Sequence, residues 1–301
     1  MDPVASQRWQ QMRVQASPWL HEEVARRMEE RLEWIKLKPA RWASWAPLRG
    51  GLEAQVLLSK RYPDAECFIV ESSPQHAQAA LNYFKNPWWK PQHWTQKLPS
   101  ISPFAPETLQ MVWANMALHM ASEPQSLIAQ WHQALAVDGF LMFSCLGPDT
   151  LLEMRSLYQR MGWPAASHDF TDMHDWGDML VSAGFAEPVM DVEHIALSFE
   201  TPERLLAELR TLGRNLHPQR FAGLRGRNWL QSLHQGLKTP HQDGQSEAQP
   251  IKMTFEVIYG HAIKPARRLA VAPQTKLSLA EMRNRLGLKE GVKTASESRG
   301  K

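Results

Sequence analysis

Residues Arg41–Pro74 read RWASWAPLRGGLEAQVLLSKRYPDAECFIVESSP. RWASW predicts a short strand, and LEAQVLLSKRY predicts a helix that Tyr62-Pro63-Asp64 stops. ECFIV is a continuous apolar run, as in a strand covered on both faces. An acid, Glu71, stands at its end. Strand, tight turn, helix, strand and acid, in this order, open a nucleotide-type cofactor site in an α/β domain. The turn itself, Ala46-Pro47-Leu48-Arg49-Gly50-Gly51, is poorer in glycine than such a turn usually is.

Upstream, SPWLHEEVARRMEERLEWI predicts a helix capped by Ser17, with Leu20, Val24, Met28, Leu32 and Ile35 on one face. Residues 1–16 read as a flexible N-terminus. Downstream, PQHAQAALNYF reads as a helix, PWWKPQHWTQKLP as a loop and LQMVWANMALHM as a strand entering a loop. EPQSLIAQWHQALA reads as a helix and, past an Asp138-Gly139 turn, FLMFSCL as a strand. Repeated βα units imply a parallel sheet with right-handed crossovers. Past Pro148 the pattern changes to four helical segments around one alternating strand, EPVMDVEHIALSFE. A polar linker, TPHQDGQSEAQP, precedes a long alternating strand, IKMTFEVIYGHAIK, of the kind that sits at a sheet edge.

The 301 residues are 43% hydrophobic and include thirteen Trp, enough for a sizeable core. No run of about 18 apolar residues predicts a membrane span, and MDPVASQRWQ lacks a signal pattern. Cys67 and Cys145 fall in apolar strand-like runs, as reduced thiols of a cytoplasmic protein do. The net charge is +3, but Lys264–Lys301 holds ten Lys or Arg against three Glu. Residues 266–301 therefore read as a basic, disordered tail. It holds no aromatic residue for base stacking, so no nucleic acid is expected as a partner.

The phrases LHEEVARRMEERLEWI, WANMALHM, EPQSLIAQWHQALAVDGFLMFSCLGPDTLLEMR, FTDMHDWGDMLVSAGFAEPVMD and TFEVIYGHAIKP resemble one family. It is the malonyl-acyl-carrier-protein O-methyltransferases of biotin synthesis, the BioC type, among the class I S-adenosylmethionine-dependent methyltransferases. The resemblance runs through residues 17–265, most specifically over 110–190. It implies an α/β fold: a Rossmann-like class I methyltransferase sheet of seven strands with helices on both faces, a helical lid-like insertion over 148–240 and a late antiparallel strand. It also implies S-adenosylmethionine as donor, the free carboxylate of a malonyl thioester as acceptor, and acyl carrier protein as partner.

Against that family, Ala46 and Leu48 stand where the first two glycines of the donor loop belong, and Gly50 keeps its place with Gly51 beside it. The branched Leu48 side chain is expected to crowd the methionine end of the donor, and Arg49 to reach the donor's carboxylate. Glu71, with Ser72 next to it, is placed to accept the ribose hydroxyls; a solvated strand-end acid is the alternative. Trp94 aligns where the family carries an acid for the adenine amino group. A Trp stacks but accepts no hydrogen bond, and core packing is its alternative. Asn115 and Met116 close the next strand at the ligand edge of the sheet.

A carboxylate is already a nucleophile, so neither a catalytic acid nor a base is expected, and His119 is assigned no such role. The anionic malonyl group calls for arginine, and Arg155, Arg210 and Arg214 are the candidates, against the alternative of a solvated helix face. His168, Asp169, Asp172, His174 and Asp175 lack metal-ligand spacing, and Asp172 reads as a helix cap. Three readings stay open: a carboxyl methyltransferase, a degenerate fold kept as a binding or assembly module, and a methyltransferase-fold enzyme with another acceptor or reaction. Whether Leu48 or Trp94 fills the cleft decides between them.

Overall fold

Six strands share one sheet: β1 Arg41–Trp45, β2 Glu66–Val70, β3 Leu109–Ala114, β4 Leu135–Leu146, β5 Ala186–Phe199 and β6 Ile251–Ile263. Their spatial order is β2-β1-β3-β4-β6-β5. The computed structural model describes residues 1–14, 16–85, 99–101, 103–238 and 250–266, the greater part of a compact unit spanning Met1–Ala266. Trp94, most of the polar linker and the basic tail from Arg267 lie outside the described residues.

β1 to β4 run parallel, and β6 is antiparallel to both β4 and β5. A parallel bridge from Phe68 to Ser100 carries the sheet past β2. Among the described residues, then, the implied seven strands are six plus this bridge. The late strand is not an edge strand, as its alternation predicted. β6 lies between β4 and β5 and is buried along most of its length, whereas β5 alternates between half-buried and exposed.

Successive residues of the central strands enter opposite cores, as the period of two requires. Trp42, Met111 and Trp113 pack with Leu20, Val24 and Met28 of α2 (Trp19–Arg31), and the same core takes in Met154 of α7 (Leu152–Arg160) and Leu205 of α9 (Pro202–Leu212). Ala43, Val112 and Leu141 pack with Ile128 and Trp131 of α6 (Pro124–Ala134) and with Trp176 and Leu180 of α8 (Met173–Ser182). The first turn becomes a short helix, α3 (Pro47–Gly50), followed by a longer one, α4 (Glu53–Arg61), and α5 (Pro74–Lys85) comes after β2. Ser17 does not cap α2; its hydroxyl donates to Glu22, while Pro18 takes the cap position. Glu22 in turn accepts from Leu52 N (2.7 Å) and Glu53 N (3.1 Å), so α2 supplies the cap of the next long helix.

Residues 1–16 are not loose throughout. Pro3–Gln11 form α1, capped by Asp2 Oδ1, which accepts from Val4 N (2.9 Å) and Ala5 N (3.2 Å). The other Asp2 oxygen pairs with Arg220 at 2.6 Å. Trp9 is buried, and Arg49 Nη2 donates to the carbonyls of Trp9 (2.7 Å) and Met12 (2.9 Å) at the far end of the helix. A helix held by its ends and one aromatic side chain leaves no apolar stripe to read. Asp2→Ala should therefore speed amide exchange across residues 3–11 while leaving α2 protected; unchanged protection in α1 would show that its caps contribute nothing.

Candidate functional site

At the carboxyl ends of β1, β2 and β3 lies a cavity of about 420 Å³. Ala46, Arg49 and Gly50 line it from the first turn, Glu71 and Ser72 from the end of β2, and Asn115 and Met116 from the end of β3. Trp9 and Gln10 of α1, His21 of α2 and Leu212 of α9 complete its wall. Its size suits a small-molecule ligand.

The turn solves the glycine problem by folding as a helix. Ala46 adopts a left-handed conformation (φ 51°, ψ 45°), which costs a non-glycine residue roughly 1 kcal/mol. The helical turn that follows carries the Leu48 side chain away from the cavity, into a core with Leu52, Ile69, Ala80 and Phe84. The expected crowding of the donor by Leu48 is thus absent, and its backbone N–H instead donates to Glu71 Oε1 at 2.8 Å. Gly50 is the residue the turn cannot replace: a Cβ there would stand 2.4 Å from the Asn115 carbonyl oxygen. Gly51, assigned to the donor, does not line the cavity but lies against Glu22 and Ala25 of α2.

Asn115 is buried and fully engaged. Its Nδ2 donates to the His21 carbonyl (2.8 Å) and to the Gly50 carbonyl, while its Oδ1 accepts from Ser144 Oγ (2.5 Å). Arg49 lines the cavity, while its guanidinium stacks on Trp9 (3.8 Å to the ring centre) and holds α1. Burial lowers its pKa to about 10, so it keeps its charge at neutral pH. Burial also lifts the Glu71 carboxyl to about 6, against the opposing pull of the Leu48 N–H and Arg49.

A second cavity, of about 160 Å³, shares Met120 and Leu212 with the first. His119, Tyr158, His168, Phe170, Arg214, Asn215 and Phe255 are among its walls. His119 Nδ1, Ser167 Oγ and His168 Nδ1 are buried without a hydrogen-bond partner among the described residues. Burial holds both imidazoles below their ordinary pKa, so each is neutral with an unused ring nitrogen.

Of the three candidate arginines, Arg214 alone reaches this cavity. Arg210 is exposed on α9, and Arg155 folds back to donate to the Pro148 carbonyl; neither lines either cavity. Asp172 caps α8 by accepting from His174 N at 2.7 Å. Sequence reading missed Trp9, Gln10 and His21, which arrive from elements remote in the chain. It also missed His168 as a cavity residue, having weighed it only as a metal ligand.

No family model matches the chain. It is 37% identical to the malonyl-[acyl-carrier protein] O-methyltransferase of Gallionella capsiferriformans, over 84% of this chain and 87% of that protein. The protein of the same name from Laribacter hongkongensis is 36% identical over 86% of each chain, and that of Methylovorus sp. is 33% identical over 85% of this chain and 86% of its own. Among solved structures, YcgJ of Bacillus subtilis superposes with a TM-score of 0.53 at 13% identity, covering 81% of this chain and 99% of its own. BH2331 of Bacillus halodurans C-125, described as a candidate methyltransferase, gives 0.52 at 16% identity, with coverage of 81% and 100%. These two share the fold.

Two substitutions separate the turn's packing from its ligand side. Leu48→Ala should cost about 2–5 kcal/mol of stability, as a buried leucine does, yet leave the affinity for S-adenosylhomocysteine within about twofold, a surface-like change in binding. Gly50→Ala should destabilise by roughly 1–3 kcal/mol from overpacking and lower that affinity as well. Calorimetric titration and thermal melts read both; a large affinity loss in Leu48→Ala alone would return Leu48 to the cavity.

Proposed function

The chain belongs to the malonyl-[acyl-carrier protein] O-methyltransferase family, and we propose that it methylates the free carboxylate of malonyl-acyl carrier protein, with S-adenosylmethionine as donor, in biotin synthesis. The observation that carries this reading is the pair of adjoining cavities: one ends on a strand-end carboxylate, the other on an arginine, with Met120 and Leu212 common to both. The degenerate alternative rested on Ala46, Leu48 and Trp94; the Leu48 side chain leaves the first turn's cavity open, Ala46 lines it, and Trp94 lies outside the described residues.

Bound S-adenosylmethionine supplies a sulfonium methyl group. Glu71 accepts the ribose hydroxyls, and the bare Cα of Gly50 lets the turn pass close to the sheet edge. Arg214 pairs with the malonyl carboxylate and leaves it unprotonated, so no base is needed. The unused nitrogens of His119 and His168 offer neutral hydrogen bonds to the thioester and its neighbouring groups. Met120, Leu212 and Phe170 keep water from the junction. Two buried free thiols, Cys67 and Cys145, accord with a place in the cytoplasm. Among the described residues no helix is long and apolar enough to cross a membrane.

The direct test is transfer of a labelled methyl group to malonyl carrier protein, with the carrier bearing no malonyl group as control; no transfer to the malonyl form would exclude this function. Glu71→Gln should weaken S-adenosylhomocysteine binding by about 2 kcal/mol, the scale of a charge-assisted hydrogen bond. Affinity of the wild type should fall as pH is lowered through about 6, because Glu71 becomes protonated and stops being a charged acceptor. The empty protein responds oppositely: a carboxyl whose folded pKa is raised contributes more stability as pH falls toward its unfolded value. An affinity flat across that window, equal in wild type and Glu71→Gln, would remove Glu71 from the donor site. Arg214→Ala should raise KM for the malonyl acceptor by about 10- to 100-fold, the worth of one charged partner, with donor affinity unchanged; an unaltered KM would place the acceptor elsewhere.

A further inference from the structure

Residues 209–238 hold six Lys or Arg and neither Asp nor Glu. Asp2 neutralises Arg220, whereas Arg225 and Arg227 have no acidic partner among the described residues. The same stretch exposes apolar side chains: Leu224 is 100% exposed, Phe221 47% and Leu230 39%. Arg225 is fixed rather than free, its guanidinium lying 4.0 Å from the ring centre of Phe221 and 4.6 Å from that of Trp229. Trp229 packs edge-on to Tyr158, a wall of the second cavity, and Arg214 at the start of the stretch is another. A preordered basic and apolar surface therefore begins at the acceptor cavity and spreads outward onto α10 (Arg227–Lys238).

Resting on the reading that the acceptor group is carried by a protein, we propose that Phe221, Leu224, Arg225 and Arg227 dock the acidic face of that carrier and present its thioester arm to the second cavity. An apolar centre flanked by unpaired cations matches an acidic partner with an exposed hydrophobic side chain. The chain's own basic tail is a poor occupant, because Arg267–Lys301 contains nine Lys or Arg against three Glu. A second copy would bring the same acid-free stretch and be repelled. An anionic membrane would meet the same cations, but a carrier alone would also bring a thioester arm to the adjoining cavity.

The test compares malonyl carrier protein with a malonyl thioester of pantetheine, which has the arm but no protein. Arg227→Glu and Leu224→Asp change exposed side chains, and melting temperature and S-adenosylhomocysteine affinity verify the fold; Arg227→Gln replaces the charge reversal should it unfold. Each variant should raise KM for the carrier substrate about tenfold or more, as loss of steering and contact at an interface does, and leave KM for the pantetheine thioester unchanged. Added salt should raise the wild-type KM for the carrier and affect Arg227→Glu little. The proposal is overturned by an unchanged carrier KM in both variants, or by an equal rise with both thioesters, which would implicate the cavity mouth instead. It is also overturned if the variants lose binding to phosphatidylglycerol vesicles with carrier kinetics intact, which would make the surface a membrane contact. A wild-type chain inactive on both thioesters overturns the reaction itself, and the docking proposal with it.

Discussion

One buried amide sets the geometry on which the site depends. Asn115 gathers the carbonyls of His21 and Gly50 and the hydroxyl of Ser144, and so ties α2, the first turn and β4 to the end of β3. Every one of these groups is inside the protein, where an unmade hydrogen bond is costly. The tie also fixes how near the turn must come to the sheet, and that closeness excludes any side chain at Gly50. At Gly50 the turn needs space, and at Gly51, with φ 132°, it needs the backbone freedom of glycine. Elsewhere in the turn Ala46 accepts a left-handed backbone and Leu48 finds a core to enter. A loop poor in glycine can thus have the shape of a richer one.

The two cavities divide the electrostatic work. Glu71 sits in the larger one, with Arg49 near enough to moderate the cost of burying its charge. Arg214 serves the smaller one, among neutral imidazoles that neither attract nor repel an anion strongly. Glu71 and Arg214, of opposite sign, thus stand in separate cavities. Both arginines also touch Trp9, at 3.8 Å for Arg49 and 5.7 Å for Arg214, so a single indole from α1 borders both charge environments.

The parallel half of the sheet was legible because strands buried on both faces must be apolar throughout, as ECFIV and FLMFSCL are. Glu71 was legible as a cavity residue because the carboxyl ends of parallel strands form the ligand edge of such a sheet, and it lines the cavity there. The position of β6 was not: its sequence alternates, yet β5 pairs along its outer edge and its side chains enter both cores. The direction of Leu48 was hidden for a different reason. Residue type tells what a side chain is, but a four-residue helical turn decides where it points. The placement of Arg155 was hidden similarly, since the reach of a long side chain depends on carbonyls, such as that of Pro148, that no local pattern announces. α1 was illegible because its stability comes from Asp2, Arg49 and Arg220, residues far apart in the chain.

That helix couples distant contacts. Its Trp9 and Gln10 form part of the larger cavity's wall, its carboxyl end is held by Arg49, and its amino end is pinned to the segment that borders the smaller cavity. The wall of the larger cavity therefore depends on contacts made outside it: loosening Asp2 from Arg220, or Arg49 from the α1 carbonyls, would release Trp9 and Gln10 together.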